Sequence, residues 1–245
     1  MNLSTQKPIA NPNPTEAFKS FALCDTAQEQ AASLGLLVPS KIPAGTVLSI
    51  AGNTYTINGG VGVCSGGQTT GPLGILPWFP CSIGSNAFGY CSGLTGSLVI
   101  PNSVTSIGYG AFQGCYGFTG SLVIPNSVTS VGNYAFYQCS GLTGSLVIPN
   151  SVTSIEYGAF GYCSGLTGSL VIPNSVTSVG NGAFQGCSLL TTVYADVDAS
   201  VVASTAFSNS GVTIIYYHST MSGWTPSPWN HIPTAEWTSY PDPMP

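Results

Sequence analysis

A block of 24 residues recurs four times in succession and constrains the fold more than any other feature of the chain. It begins at Ile100 with the sequence IPNSVTSIGYGAFQGCYGFTGSLV, and its copies follow without insertion or deletion until the pattern decays after Thr191. Half a copy precedes the block from Ile83, and a degenerate copy follows it to about Tyr217. A fixed period of about 20 to 50 residues is typical of a solenoid, in which each repeat forms one coil.

Apolar residues recur at the same places in every copy, at spacings that no single helix face can hold. Pro101 and Gly108 would interrupt a helix in the first copy. The segment Ser121–Ile124 alternates as a strand does, with Leu122 and Ile124 directed inward, and a proline ends it. The repeat therefore predicts one short strand per coil, then a turn and a compact return segment around an Ala-Phe pair.

One coil cannot bury its own apolar edge, so neighbouring coils must stack with equivalent side chains in contact. In addition, each copy carries an asparagine that is predicted to satisfy the turn backbone in a ladder, which is a structural role. These residues are Asn102, Asn126, Asn150 and Asn174.

The motif IPNSVTSIG-x-x-AF-x-x-C-x-x-L-T resembles the BspA-like class of leucine-rich repeats, over about residues 81–217. The resemblance implies a right-handed curved solenoid with parallel strands on its concave face. Members of that class are usually surface proteins that bind other proteins or cells, and their repeats carry no catalytic motif. The present repeat is one residue longer than usual, so a small bulge before the strand is expected in the stretch Leu-Thr-Gly-Ser-Leu-Val-Ile.

The chain divides into four segments around the solenoid of about five to six coils. They are an extended arm at 1–14, a capping or attachment unit at 15–80, the solenoid at 81–217 and a Pro/Trp-rich tail at 218–245.

The capping unit is predicted to contain a short helix and a β-hairpin. Asp25 can cap the helix and Gly35 marks its end. Two strand-like runs, Thr46–Ile50 and Thr54–Ile57, flank a short turn and indicate the hairpin. Residues 58–80 are rich in glycine and proline, which predicts a loop that leads into the first coil. An open solenoid end exposes strand edges and core, so a cap is expected here, with attachment to a partner as the alternative.

Charge is nearly absent from the chain. Only 4% of its residues are charged, where about 25% is usual. No Asp, Glu, Lys or Arg occurs between Ile42 and Ile155. Binding to nucleic acid or to an anionic membrane surface requires clustered cations, so neither partner is expected. The N-terminus has no apolar core of a secretory signal, and no apolar run is long enough for membrane insertion.

Five of the eight cysteines fall one repeat apart at an inward position, which predicts a ladder of buried thiols that act as small apolar groups. They are Cys91, Cys115, Cys139, Cys163 and Cys187. No CxxC motif or Cys/His cluster indicates zinc, so no metal site is expected. The other three cysteines, Cys24, Cys64 and Cys81, leave a disulfide among them open.

Catalytic groups are scarce. His218 and His231 are the only imidazoles, and no nucleophile motif accompanies them. No catalytic residue and no cofactor are therefore expected, and the chain is predicted not to be an enzyme.

The copies of the repeat differ from one another mainly around the Ala-Phe pair and the cysteine, where Tyr, Asn, Gln, Ser and Gly alternate. Two interpretations remain open: drift at exposed positions, or a tyrosine-rich binding strip along the return side of the coils, since these residue types are typical of adaptable recognition surfaces. The candidate ligand- or partner-binding residues are Tyr90, Tyr109, Gln113, Tyr116, Tyr134, Tyr137, Gln138, Tyr157 and Tyr162.

The C-terminal tail contains Trp224, Trp229 and Trp237. It either folds back as a lid on the end of the solenoid or docks into another subunit, since tryptophan is a favoured interface anchor. The tail and the N-terminal unit are the candidate contacts for oligomerisation.

The favoured function is non-enzymatic display or recognition on a surface. The first hypothesis is a virion-associated component, such as a phage fibre, decoration or tail protein, because virions assemble in the host cytoplasm and their surface proteins need no export signal. Its partners would be other virion proteins and a host surface protein or glycan. The alternative is a bacterial or protist cell-surface adhesin of the BspA-like class. An enzyme with an unrecognised site near His218 and His231 is the third hypothesis.

Overall fold

The computed structural model describes residues 47–50, 53–58, 61–66, 70–72, 81–227 and 229–237. Over these residues the chain winds into a solenoid whose strands form two eight-stranded sheets. The predicted N-terminal arm and the helix predicted from Asp25 to Gly35 lie outside the described residues.

Successive coils contribute alternately placed strands to the two sheets. The first sheet contains β1 (Val47–Ile50), β2 (Asn53–Asn58), β3 (Val61–Gly66), β5 (Cys81–Ile83), β7 (Val104–Ile107), β9 (Ser130–Val131), β11 (Ser154–Ile155) and β13 (Ser178–Val179). The second sheet contains β4 (Thr70–Pro72), β6 (Gly93–Val99), β8 (Phe118–Val123), β10 (Gly144–Val147), β12 (Leu166–Ile172), β14 (Leu190–Ala195), β15 (Ile214–His218) and β16 (Thr234–Trp237). A 3-10 helix spans Ala199–Val201.

The strand predicted at Ser121–Ile124 is confirmed, because β8 covers most of it and buries Leu122 and Ile124. The prediction of one strand per coil was incomplete, since each central coil also has a strand in the first sheet. That strand is hard to predict from the sequence because β7 buries Val104 and Ile107, which are three residues apart. Alternation with a period of two does not detect such a pair.

The predicted bulge is present inside the second-sheet strands. The pairing of β6 with β8 shifts register between Ser97 and Val99. The preceding residue, Gly96, has a φ of +79°. Backbone in this left-handed region accepts glycine without the steric cost of a Cβ, which explains the Gly that each long copy carries here.

The core is a stack of equivalent side chains, led by phenylalanine. Neighbouring rings are nearly parallel and their centroids are 5.3–5.5 Å apart. The stack consists of Phe88, Phe112, Phe136, Phe160, Phe184 and Phe207. The backbone stacks here too, since the Phe112 N–H donates to the Ala135 carbonyl of the next coil. The return segment is therefore a third hydrogen-bonded side of each coil.

The ladder of buried thiols is confirmed from Cys115 to Cys187. Each thiol lies 2.9–3.1 Å from the carbonyl oxygen of a phenylalanine in the preceding coil and donates to it. Burial raises the pKa of the Cys115 and Cys187 thiols to about 12 and holds that of Cys139 and Cys163 well above the usual value. Cys91, at the first step of the ladder, is only half-buried.

The polar ladder between coils is made by threonine and not by the predicted asparagine. The Thr129 hydroxyl donates to the Thr105 carbonyl at 3.2 Å, and Thr153 and Thr177 continue the series. The asparagines, such as Asn126, are exposed at the neighbouring turn. Thr129 also follows the buried Val128, so its hydroxyl is held at the stacking surface.

Both ends of the solenoid extend beyond the repeats that the sequence reveals. The predicted hairpin is present as β1 and β2, which pair antiparallel. Residues 58–80 were predicted as a loop, but they include β3 and β4, which pair in parallel with β5 and β6 and join the N-terminal unit to both sheets. At the other end β16 pairs in parallel with β15. None of the described residues forms a helix long and apolar enough to cross a membrane.

Candidate functional site: a tyrosine cluster on the return side

The candidate site lies on the turns that connect each first-sheet strand to the following second-sheet strand. In such a turn the Ala-Phe pair points into the core, as Ala111 and Phe112 do. The flanking positions, Tyr109 and Gln113, are then directed outward. Since coils stack in register, outward residues of successive turns form a strip that runs along the solenoid.

Five predicted tyrosines meet in this strip through four ring contacts, three between adjoining coils and one within a coil. Their centroids are 5.1–5.8 Å apart and their planes cross at 69–86°, which is the edge-to-face arrangement that aromatic pairs prefer. We call this group the tyrosine cluster; it comprises Tyr109, Tyr134, Tyr137, Tyr157 and Tyr162. Tyr109, Tyr157 and Tyr162 are well exposed, and the other two are half-buried beneath them.

Each tyrosine that points along the strip lies against a glycine of the next coil. A methyl group on Gly158 would come within 2.8 Å of Tyr134 Cδ1, and one on Gly186 within 2.7 Å of Tyr162 Cδ1. Tyr137 is related to Gly161 in the same way, at 2.8 Å. A side chain at these glycines would displace the ring. These tyrosines and the glycines at equivalent positions of the next coil therefore fit each other sterically.

Three tyrosines of the strip have left-handed backbone: Tyr90 (φ +60°), Tyr134 (φ +56°) and Tyr162 (φ +58°). At the same places in adjoining coils the residues are mostly glycines, such as Gly114 and Gly186, which adopt this region freely. A bulky residue there is an outlier and costs on the order of 1–3 kcal/mol. The strip therefore keeps tyrosine at positions where glycine would fold with less strain.

Two glutamine amides fix tyrosine hydroxyls across the coil boundary. Gln113 Nε2 donates to Tyr90 Oη at 2.7 Å, and Gln185 Nε2 donates to Tyr162 Oη at 3.2 Å. Tyr90 remains 68% exposed, so its ring is held in place and still open to solvent. The side-chain entropy that a partner would have to remove on binding is already partly lost.

The strip is almost without charge. Glu156, beside Tyr157, is the only charged residue between 81 and 195. Burial raises the pKa of Tyr134, and so do its hydrogen bond to Tyr157 and the neighbouring tyrosines. Burial likewise raises the pKa of Tyr137, with a contribution from nearby tyrosines. The Tyr134 and Tyr137 phenols are therefore neutral at physiological pH.

The remaining predicted residues lie beside the cluster. Tyr116 is exposed at the start of the β8 side of its coil, two residues before the strand. Gln138 is exposed and left-handed (φ +62°), one coil before Tyr162. The candidate residues did not include Asn133, a variable position of the same strip, whose Oδ1 accepts the Tyr157 N–H at 2.9 Å. They also did not include the partner glycines, although Tyr and Gly at equal positions in adjoining copies were a visible signal.

The tail tryptophans lie against their own chain, so the docking role predicted for them is not supported for Trp224 or Trp237, which are buried. Trp224 Nε1 donates to the Val197 carbonyl at 2.8 Å. Trp229 packs on Trp224 with centroids 5.1 Å apart. These contacts are those of a lid on the last coils, which was the first of the two interpretations.

One histidine and one acid near the tail, His218 and Asp198, have structural contacts. His218 packs edge-to-face on Trp237 at 5.9 Å. The Asp198 carboxylate accepts the Ser222 N–H at 2.6 Å and the Ser222 hydroxyl at 2.9 Å, and these bonds lower its pKa. Across the described part of the chain, no three His, Cys, Asp or Glu residues gather as metal ligands would.

A second exposed feature lies on the second sheet, away from the tyrosine cluster. Val99, Val123 and Val147 occupy paired positions on β6, β8 and β10 and point to solvent. We call this group the valine row. It borders a groove of about 560 Å³ that is lined by Ile124, Pro125 and equivalent residues of the adjoining coils.

The sequence matches the family model described as BspA type leucine rich repeat region, in six copies over residues 81–213. No curated protein matches it. Among solved structures, it is similar to a leucine-rich cell surface protein from Faecalibacterium prausnitzii, with a TM-score of 0.55 and 26% identity over 71% of this chain and 49% of that one. It is also similar to the Treponema pallidum (T. pallidum) leucine-rich repeat protein, with a TM-score of 0.51 and 24% identity over 71% and 87%. The chain thus spans about half the length of the Faecalibacterium protein.

Proposed function

Because the chain belongs to the BspA-type leucine-rich repeat family, we propose that it is a non-enzymatic recognition protein of a cell surface and binds its partner through the tyrosine cluster. The solenoid supplies a stiff row of turns, and each turn places one or two outward side chains at a fixed height along the axis. Such a scaffold suits binding over an extended surface rather than in a closed pocket.

The observation that carries this proposal is the left-handed backbone of Tyr134 and Tyr162 in the cluster and of Tyr90 beside it on the strip. Strain at a special backbone conformation persists where the side chain has a use, and it concentrates at functional sites. Glycine occupies equivalent positions in the same molecule, so a strain-free solution was available to the fold. Tyrosine is also the residue that best combines contact area with low entropy cost in binding surfaces.

Display on a cell is supported by the Faecalibacterium relative, which is described as a cell surface protein. The virion-associated component that the sequence first suggested has no such support and stays a prediction. Absence of catalysis is part of the proposal. It is supported by two structural contacts: His218 packs against Trp237, and the Asp198 carboxylate accepts the Ser222 N–H.

The recognition part can be tested with beads that carry the full chain. We expect coated beads to adhere to cell monolayers or to mucin-coated glass, and the triple variant Tyr109→Ser, Tyr137→Ser, Tyr162→Ser to lose this adhesion. The matched control replaces the valine row with serine, which changes three exposed apolar residues on the other side of the coil and should leave adhesion intact. Equal adhesion of wild type and tyrosine variant would remove the cluster from the proposal.

The location can be tested by immunogold electron microscopy on cells that express the chain, with antibody against the repeats. Gold on the cell envelope is the expected result. Gold on virus-like particles would overturn the cell-surface assignment in favour of the virion component.

A further inference from the structure

Tyr90 and Tyr162 share an arrangement that no other tyrosine in the described residues has. Each has left-handed backbone. Each ring lies against the glycine 24 residues later, Gly114 or Gly186, where an added methyl group would come within 2.9 or 2.7 Å of Cδ1. Each hydroxyl accepts a hydrogen bond from the glutamine just before that glycine. The same three-residue unit is thus built twice.

The two units lie three coils apart, because their sequence separation of 72 residues is three periods of 24. Stacked strands are about 4.8 Å apart, so the two rings are separated by about 14 Å along the solenoid axis. Glycine or glutamine occupies this position in the two coils between them, at Gly114 and Gln138. Gly114 is buried beneath the Tyr90 ring, so the exposed Gln138 supplies the accessible amide between the two rings. The other members of the tyrosine cluster border this part of the strip.

From this arrangement we propose that Tyr90 and Tyr162 are two equivalent stacking platforms for an uncharged oligosaccharide that lies along the solenoid axis. This inference rests on the proposed function and names its partner class. Sugar rings present faces of polarised C–H groups, and these are attracted to the electron-rich face of an aromatic ring. The amides of Gln113, Gln138 and Gln185 supply donors and acceptors of the kind that sugar hydroxyls need.

The charge distribution selects the kind of glycan. No Lys or Arg occurs after Lys41, so the described residues of this face offer no cation to a sulfated, sialylated or uronic-acid chain. Glu156 in the strip would repel such a ligand further. A neutral sugar chain carries no charged group that must be removed from water on binding. It can bind through aromatic ring faces and hydrogen bonds alone.

The two platforms are also held ready before a ligand arrives. The hydrogen bond from Gln113 and the packing on Gly114 immobilise the Tyr90 ring, and Tyr162 is held by the corresponding pair. Preorganisation lowers the entropic cost of binding. A chain long enough to reach both rings gains from two linked contacts, so affinity should rise with its length.

The test measures binding of the full chain to neutral and charged oligosaccharides of defined length, on an array and then by calorimetry. We expect at least one neutral linear hexasaccharide to bind, the trisaccharide of the same linkage to bind at least tenfold more weakly, and uronic-acid and sialylated chains not to bind. The double variant Tyr90→Gly, Tyr162→Gly should weaken hexasaccharide binding at least tenfold without lowering the melting temperature, since glycine suits both backbone positions. The control variant Val123→Ser removes an exposed apolar residue of the valine row, outside the two units, and should bind as the wild type does.

Three results would overturn the inference: binding of no neutral glycan, preference for anionic chains, or unchanged affinity of the double variant. If no glycan binds but beads still adhere in a manner that depends on the tyrosine cluster, the glycan is wrong and the recognition function stands with a protein partner. If adhesion is also independent of the tyrosines, both proposals fail.

Discussion

The strain at the left-handed tyrosines can be measured by comparing two substitutions that differ in little else. Tyr162 has a φ of +58°, whereas Tyr157 is not among the residues with positive φ. Both are exposed, and each makes an edge-to-face ring contact, at 5.3 Å with Tyr137 and at 5.1 Å with Tyr134. Each hydroxyl also has a side-chain partner in the strip. Tyr162→Gly and Tyr157→Gly therefore remove similar contacts.

The expected magnitudes follow from these contacts. Either substitution costs about 0.4–1 kcal/mol because glycine frees the unfolded chain. Either one also loses a ring contact worth about 0.5–1.5 kcal/mol. Only Tyr162→Gly relieves left-handed strain, which is worth about 1–3 kcal/mol. Tyr162→Gly should thus be close to neutral, and Tyr157→Gly should be the more destabilising variant by about 1–3 kcal/mol.

Urea unfolding of the full chain, followed by circular dichroism, would measure the difference in midpoint. The comparison requires equal slopes of free energy against urea, because long repeat arrays can lose two-state behaviour. A Tyr162→Gly variant that is as destabilised as Tyr157→Gly, or more so, would refute the strain argument. It would also remove the observation that carries the proposed function.

Three further predictions concern the scaffold. Phe136→Ala should lower the free energy of unfolding, measured with urea, by about 3–5 kcal/mol. The loss should exceed that of Phe207→Ala, because Phe136 stacks between two described rings and Phe207 against one. Equal losses would contradict the role of the phenylalanine stack. At pH 8, iodoacetamide should modify Cys91 and leave Cys139 unlabelled until the chain is unfolded, as read by peptide mass spectrometry, because burial raises the Cys139 pKa further. The pKa of Asp198 is lowered in the folded state, so its stabilising contribution is present above the ordinary value of 3.8 and is lost as pH falls through the folded value; Asp198→Asn should flatten the acid limb of the stability curve, and an unchanged limb would contradict this.

The period of the sequence was enough to predict the stacking, because identical neighbours leave few ways to bury the same residues. Leu122 and Ile124 alternate in the ordinary manner of a strand, and the structure has them inside. The first-sheet strands escaped prediction for a physical reason. Strands such as β9 have only two residues and are held by their neighbours rather than by their own alternation.

The strands at the two ends of the solenoid, β4 and β16, could not be predicted from the sequence. β4 contains a glycine and a proline, and β16 follows the tryptophan-rich segment, so neither resembles the repeat. Each becomes a strand because the exposed edge of β6 or β15 offers hydrogen bonds that any extended segment can accept. A strand that forms only because a neighbouring strand edge pairs with it has no characteristic pattern in its own sequence.

The sequence showed the candidate strip as variation between the repeats, but it did not show how the variable side chains are arranged. Whether a tyrosine points along the axis or away from it depends on backbone conformation, and left-handed tyrosine is too rare to be assumed. Once the direction is known, the glycine 24 residues after a ring such as Tyr134 or Tyr162 becomes part of the same unit. The binding assays of the tyrosine variants decide between drift and a binding strip.

A repeat protein of this kind separates its scaffold from its recognition surface within a single turn. The Ala-Phe pair is fixed by the stack, since Phe136 has a ring on each side. The left-handed positions beside it accept glycine at no cost and other residues at a limited one. Substitutions at these left-handed positions can therefore form a binding surface without any change in the backbone of the coil. Each tyrosine so placed lowers stability a little, and the large core formed by repetition can absorb that loss. Recognition residues in such a solenoid should then be sought first at left-handed positions where the adjoining coils mostly have glycine.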